Sequence, residues 1–247
     1  MARVIDSKFK ESGYEVDDTN LESAMVATMT QLRKEMKEDK NFSKDWRLVH
    51  TKDMTIEDAY TYLKLRDSQV GSNLADFMEF SVLGRKLKPD GGIIWLVNNK
   101  KPNLRIPVLM AEMKSQGTNK GREEAGLKKQ AVGNAIERLS KYIVASSSIY
   151  AHDDINPMVG FCTGCDFSYD ENNKPLNPGS GIMAGKLVSM NPGFASFNKV
   201  YTRKNTPKGI SPVTICAREE KYNIAELVSI LKEVGMDSLN YFKELFK

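Results

Sequence analysis

Two β-rich runs joined by a turn-forming segment restrict the fold of this 247-residue sequence more than any other feature. The first run is GGIIWLV at residues 91–97, the second is LRIPVLMAEMK at residues 104–114, and NNKKPN lies near the turn between them. Aliphatic and β-branched residues favour strands, whereas Asn and Pro favour turns. The sequence therefore predicts a β-hairpin.

Helical periodicity flanks this hairpin. In residues 20–38, Leu21, Met25, Met29, Leu32 and Met36 recur at helical spacing, and Thr19 with Glu22 fits a capping box. Further helices are predicted at 55–66, 73–80, 127–146 (interrupted at Gly133), 223–234 and 237–246, strands at 158–163 and 210–217, and an irregular segment at 166–208. The order α-β-β-α-β-β-α predicts an α/β fold, a mixed central β-sheet flanked by helices.

The tripeptide Glu-Met-Lys occurs twice, in two different contexts. Glu35 and Lys37 lie in the first predicted helix, where residues two apart point about 200° away from each other. Glu112 and Lys114 end a predicted strand, where residues two apart share a face and Met113 points to the other. Only the second copy places a carboxylate beside an ammonium group.

A second carboxylate is expected at the same end of the sheet. LKPDGG precedes the first strand of the hairpin, so strand pairing brings Asp90 near Glu112. Two neighbouring acids repel each other unless a cation neutralises them, and oxygen ligands suit magnesium. An ordinary surface aspartate beside a Glu–Lys pair would have the same spacing, so spacing alone leaves both interpretations open.

Metal-assisted hydrolysis of a phosphodiester is the chemistry that such a group supports. Asp90, Glu112 and the backbone carbonyl of Met113 would hold Mg²⁺, which would polarise a phosphate oxygen and lower the pKa of a bound water. Lys114 would orient or help deprotonate that water and offset the charge that develops on the phosphorane.

The distribution of charge agrees with a polyanionic partner. The net charge is +4, and nucleic-acid binders are recognised by clustered rather than total charge. Basic clusters lie near the segments already named, at 84–88, 98–101, 119–122, 127–129 and 201–208. A solvated surface explains any one cluster, but their shared neighbourhood favours nucleic acid.

Other classes of protein fit the sequence less well. Apolar runs such as IIWLV are far too short to cross a bilayer, and the first residues carry charges where a signal peptide needs an apolar region. We therefore expect a cytoplasmic protein with no membrane partner.

The cysteines offer one alternative site. Cys162 and Cys165 have zinc-knuckle or redox spacing, but only Cys216, His50 and His152 remain to complete a closed zinc site. A buried strand that ends in a turn at the following glycine is the interpretation we favour.

Two segments resemble a known nuclease family. KPDGGI followed by MAEMKSQG matches the PD-(D/E)xK pattern of the restriction-enzyme nuclease superfamily, and AVGNAIERLSK at 131–141 resembles the recognition segment of the EcoRI-like type II restriction endonucleases. GNAIER is far more specific than the catalytic pattern. With weaker similarity in MVGFCTGCDF and SGIMAGK, the resemblance covers roughly residues 85–200 and implies a restriction-endonuclease-like core.

The resemblance also implies roles for individual residues. Asp90, Glu112 and Lys114 fall on the catalytic acid, acid and lysine of the family, and Gln116 falls just after them among the residues expected to bind DNA. The length of the chain, by contrast, is what favours a single domain, 1–247, with an N-terminal helical part at about 1–80, a core at about 81–217 and C-terminal helices at 222–247.

The base-reading residues follow in the second segment. Asn134, Ala135 and Arg138 fall on the family's major-groove reading segment, with Glu137 beside them. Asn can bond adenine bidentately, an alanine methyl can meet a thymine methyl, and Arg offers fixed donors to purines. Gly133 would let an extended chain pass along the groove before the helix begins.

The family implies a homodimer that reads a palindromic DNA site with inner AATT, and a DNA methyltransferase that protects host DNA. It also implies cleavage that leaves a four-base 5′ overhang with 5′-phosphate ends. The segment that reads the outer base pair retains only Lys186, so GAATTC, RAATTY and CAATTG all remain candidates.

Two rival functions also remain: a structure-directed repair or junction-resolving nuclease on the same core, and a DNA-binding protein without catalysis. The first would not need GNAIER, and the second would be expected to lack one catalytic residue.

Overall fold

A computed structural model describes residues 18–66, 86–115, 133–164, 212–218 and 220–246, with residues 124, 126, 128, 186, 187, 189 and 195–197 between them. The helices are α1 (Asp18–Glu38), α2 (Lys40–Asp45), α3 (Ile56–Arg66), α4 (Gly133–Ile149) and α5 (Ile224–Leu245). The strands are β1 (Trp46–Thr51), β2 (Met54–Thr55), β3 (Lys86–Leu87), β4 (Ile93–Asn98), β5 (Arg105–Ser115), β6 (Met158–Thr163), β7 (Ala195–Phe197) and β8 (Val213–Arg218).

Six strands form one mixed sheet in the order β1-β4-β5-β6-β8-β7, and β2 pairs with β3 in a separate small sheet. The β1–β4 and β4–β5 pairs are antiparallel, whereas β6 pairs in parallel with both β5 and β8. The predicted α/β class with a mixed central sheet flanked by helices is therefore confirmed.

The predicted hairpin is present as β4 and β5. Ile93 pairs with Met110 and Ile94 with Leu109, after which the register shifts before Trp95. Because β5 lies between β4 and β6, and helices cover both faces, its residues are buried from Ile106 to Met113.

The two faces of β5 meet different helices. A side chain added at Gly235 of α5 would lie 3.5 Å from Leu109, which places α5 over the face of Leu109. Gly160 of β6 pairs with Glu112, and a side chain added there would lie 3.2 Å from Leu139 of α4. The face that carries Glu112 is therefore the face covered by α4.

Helix α1 buries the predicted apolar stripe, whose members are Leu21, Met25, Met29, Leu32 and Met36. The helix begins at Asp18, so Thr19 lies inside it and the predicted N-cap at Thr19 was wrong. None of the described helices is long and apolar enough to span a membrane.

The two C-terminal helices predicted from the sequence are one continuous helix, α5. Asn223 caps it, accepting a bond from the Glu226 amide at 2.9 Å while Glu226 accepts one from the Asn223 amide at 2.9 Å. Gly235 lies mid-helix, where a Cβ would meet Leu32 at 2.9 Å. The sequence predicts a break between two helices near this glycine, but the helix is continuous there and α1 packs against it.

Other boundaries also differ from the predictions. Strand β1 was not predicted, α4 begins at Gly133 rather than at 127, and Lys128 has no regular structure. Strand β8 begins at Val213, three residues after the predicted start, and β7 lies inside the segment predicted as irregular. The predicted helix at 73–80 lies outside the described residues.

Candidate active site

The loop that precedes β4 is anchored to β5 by its backbone. The Gly91 amide donates to the Ala111 carbonyl at 2.9 Å, and the Gly92 amide donates to the Pro89 carbonyl at 2.9 Å. Gly92 has φ of 75°, and a Cβ there would lie 2.4 Å from the Thr51 carbonyl, so the turn requires glycine. This turn holds Asp90 against the end of β5.

The three predicted catalytic side chains converge there. The Asp90 amide donates to Glu112 Oε2 at 2.7 Å, and Lys114 Nζ donates to Asp90 Oδ2 at 2.7 Å. Lys114 Nζ also forms an ion pair with Glu112 Oε1 and donates to the Met113 carbonyl at 3.0 Å. The predicted face is therefore present, with both carboxylates in contact with one ammonium group.

Burial controls the electrostatics of this group. The Glu112 side chain is 1% exposed, whereas those of Lys114 and Asp90 are 14% and 25% exposed. Burial, and then the nearby charge of Asp90, raises the pKa of Glu112 to about 8 although Lys114 opposes the shift. For Lys114, burial favours the neutral amine, but Glu112 and Asp90 outweigh it and raise the pKa of the ammonium group.

The oxygen atoms of the site fit a hard divalent cation. The ammonium group contacts Asp90 Oδ2, Glu112 Oε1 and the Met113 carbonyl, the same three groups that the sequence predicts as metal ligands. Two carboxylates and a carbonyl leave coordination positions for water and for phosphate oxygens, as magnesium prefers. Within the described ranges, no three or more His, Cys, Asp or Glu side chains are grouped so that they could hold a metal ion.

The predicted base-reading residues lie at the start of α4. Its first two residues are Gly133 and Asn134, Ala135 is half-buried against the core, and Glu137 and Arg138 are exposed. Glu137 accepts a bond from Lys141 Nζ at 2.8 Å.

Of the other two residues predicted to bind DNA, one is not described by the structure and the other has no described contact with the candidate site. Gln116 lies outside the described residues. Lys186 is described and exposed, in a short helical stretch, and it has no described contact with the catalytic group.

The predicted cysteine alternative gains little support. Cys162 is fully buried in β6 and Cys216 is buried in β8, while Cys165 lies outside the described residues. Burial raises the pKa of both described thiols, to about 11 for Cys216, so neither is set up as a thiolate ligand or nucleophile.

Two residues near the site were missed by reasoning from the sequence. The Tyr142 hydroxyl of α4 donates to the Lys88 carbonyl, two residues before Asp90. Burial, followed by the charges of Glu112 and Asp90, raises the pKa of Tyr142. The position of Tyr142 directly after GNAIERLSK is a signal that could have found it.

His50 is the second of these residues. Its Nε2 lies 2.9 Å from the Gly91 carbonyl, on the other side of the Asp90 turn. Because β1 was not predicted, the sequence offered no signal for this contact.

Two comparisons with known proteins bear on the family to which the chain belongs. A search of curated proteins found no significant match. The family model described as restriction endonuclease EcoRI matches residues 9–247, nearly the whole chain. Members of that family are site-specific deoxyribonucleases that bind double-stranded DNA and generally use a divalent metal. The chain belongs to the EcoRI family of type II restriction endonucleases.

Proposed function

We propose that this protein hydrolyses phosphodiester bonds of double-stranded DNA with Mg²⁺, at a palindromic site with inner AATT, and leaves 5′-phosphate ends. The observation that carries the proposal is the convergence of Asp90, Glu112 and Lys114 at one end of β5 in a chain of this family.

Three groups of the chain would hold the metal: the carboxylates of Asp90 and Glu112 and the Met113 carbonyl. Mg²⁺ would supply polarisation of a phosphate oxygen and a lower pKa for a bound water. Lys114 lies within hydrogen-bonding distance of these oxygens, so its ammonium group can orient the attacking water and offset negative charge on the phosphorane.

The start of α4 is proposed to read the bases. The exposure of Arg138 and Glu137 at the first turns of α4 supports this assignment, with Asn134 and Ala135 from the same segment. Gln116, Gly133 and Lys186 complete the proposed DNA-binding set.

The remaining proposals follow from the family. A homodimer would present the reading segment once to each half-site of a palindrome. A companion DNA methyltransferase would protect host DNA, in the cytoplasm. We also propose that residues 1–247 form the single domain expected from the sequence.

The decisive experiment is a digest of randomised duplex DNA with purified protein and Mg²⁺, with both ends of every fragment sequenced. We expect ends that share AATT, whose flanking bases would name the outer pair. Cleavage without a shared sequence would favour the structure-directed nuclease, and binding without cleavage would favour the non-catalytic protein. Lys114→Ala should lose Mg²⁺-dependent cleavage, and cleavage equal to that of the wild type would contradict the proposed mechanism. Lys52→Ala, a change in an exposed pair with Glu22, is the control.

Base reading is tested separately from affinity. Arg138→Ala or Asn134→Ala should lose about 1–3 kcal/mol of discrimination at the inner bases. Lys128→Ala, in a basic cluster, should instead weaken binding to all sequences and reduce its dependence on salt. Equal loss of discrimination in all three variants would contradict the assignment of the reading segment.

A further inference from the structure

We propose that Tyr142 is a positioning residue that holds Asp90 in place for the metal from the helix that carries the base-reading segment. The inference rests on the proposed function. Its starting observation is the hydrogen bond from the Tyr142 hydroxyl to the Lys88 carbonyl, which belongs to the loop that carries Asp90.

The hydroxyl comes from a helix with little freedom to move. Ile136, Leu139 and Ile143 of α4 are 3% exposed or less, and they fix the helix on the sheet. Gly160 of β6 lies directly beneath Leu139, and its lack of a side chain permits the close approach. Tyr142 directly precedes Ile143 in the chain, so its side chain contacts the loop from a helix that is held in place by packing.

The Tyr142 contact adds to the bonds that hold the two sides of the Asp90 loop. The glycine end is held by backbone bonds to β5 and by His50 at the Gly91 carbonyl. On the other side of Asp90 comes Pro89, which has no N–H to donate, and before it Lys88, whose carbonyl accepts from Tyr142. Loss of the hydroxyl would loosen this side of the loop.

Tyr142 also lies close to the charges that matter. Burial, followed by the charges of Glu112 and Asp90, raises the pKa of its phenol, and the charge of Arg138 lowers it, so all three charged groups lie near the ring. Arg138 precedes Tyr142 by four residues, so the two side chains lie one turn apart on the same side of the helix. One helix thus joins a proposed base-reading residue to the loop of a proposed metal ligand.

The test uses Tyr142→Phe in the full chain, with Tyr241→Phe as the matched control. Tyr241 also donates through its hydroxyl, to Asp153 Oδ1 at 3.2 Å, but it lies on α5 outside the candidate site. The first readout is amide hydrogen exchange in residues 88–92 without metal or DNA. The second is the Mg²⁺ concentration that gives half-maximal single-turnover cleavage, and the third is the dissociation constant for cognate DNA in chelator.

In Tyr142→Phe we expect faster exchange in the loop and a half-saturating Mg²⁺ concentration raised about 3- to 10-fold. This fold-change is the effect expected from the loss of one hydrogen bond. The dissociation constant for DNA should change by less than about twofold. A general disturbance of the fold would weaken DNA binding as well, so this readout distinguishes such a disturbance from a loss of loop positioning. Replacement of Tyr142 by 4-aminophenylalanine, which keeps a donor at the ring position, should restore both values.

Unchanged loop exchange and an unchanged Mg²⁺ requirement in Tyr142→Phe would overturn the inference, as would equal changes in Tyr241→Phe. If Tyr142→Phe does not fold, the 4-aminophenylalanine variant becomes the test. If that variant also does not fold, although it keeps a donor, the proposed role of the hydrogen bond is overturned. Absence of cleavage by the wild type would refute the proposed function instead, while the exchange measurement would still test the positioning of the loop.

Discussion

Replacement of Lys114 by methionine removes the cation that lies between the two carboxylates while keeping an unbranched side chain of similar length. Lys114 Nζ contacts Asp90 Oδ2 at 2.7 Å, the Met113 carbonyl at 3.0 Å and Glu112 Oε1. Loss of charge-assisted hydrogen bonds costs about 1.5–3 kcal/mol of unfolding free energy. The cost should also depend on pH, because Glu112 is buried and the ammonium group opposes the rise in its pKa.

The direction of this dependence follows from linkage. In the wild type the folded pKa of Glu112, about 8, lies above the ordinary value of 4.5, so its contribution to stability falls as pH rises from about 4.5 to about 8 and then stays constant. Without Lys114 the folded pKa rises further, and the fall continues above pH 8. The gap between variant and wild type should therefore widen above about pH 8, by at most about 1.4 kcal/mol for each pH unit.

Urea unfolding at several pH values, followed by the fluorescence of buried Trp46 and Trp95, measures this gap. Lys52→Met is the control, since Lys52 is 68% exposed and its pair with Glu22 should contribute less than about 1 kcal/mol. A double variant with Glu112→Gln should lose the widening. A gap that stays constant with pH would refute the idea that Lys114 holds down the pKa of Glu112.

Three further outcomes are expected. Because the pKa of Glu112 is raised to about 8, metal binding to its carboxylate must release a proton, so Mg²⁺ affinity measured by calorimetry should rise by up to about tenfold per pH unit below about pH 8 and then level off. Affinity independent of pH would contradict the combination of a raised pKa and a metal-binding role for Glu112. Gly160→Ala should cost about 1 kcal/mol or less in thermal unfolding, since its Cβ would lie 2.7 Å from Ile215 Cδ1, the end of a side chain that can move aside; a loss well above about 1 kcal/mol would contradict this expectation. Asp153→Ala should cost about 3–5 kcal/mol in urea unfolding because Arg66 Nε, 2.6 Å from the buried carboxylate, loses its partner; a loss below about 1 kcal/mol would show that this buried pair contributes little.

Much of the fold could be predicted because local patterns and tertiary packing agree. The apolar stripe of α1 and the paired runs of β4 and β5 carry the period of the structure they form. The predictions of secondary structure were wrong where contacts between residues distant in sequence determine the local structure. Strand β1 alternates only at its start and carries Arg47 and His50, and Gly235 stays helical because Leu32 packs against it.

The candidate site divides in the same way. Glu112 and Lys114 share a face because a strand has a period of two, and a short hairpin brings Asp90 to them. The contact of Tyr142 with the Lys88 carbonyl joins residues 54 apart in sequence, so local periodicity carries no sign of it. The proposed roles of Asn134 and Gln116 depend on the resemblance to the family.

The mixed sheet has a consequence for how the molecule forms and changes. The proposed catalytic side chains all belong to an antiparallel hairpin and the loop before it, and hairpins close within microseconds because their contacts are local. Strand β6 pairs in parallel and must wait for the crossover through α4. We therefore expect the hairpin that carries Glu112 and Lys114 to form before α4 docks onto it. Mutations on the exposed face of the crossover helix can therefore change that surface while leaving the strand pairing of the hairpin intact.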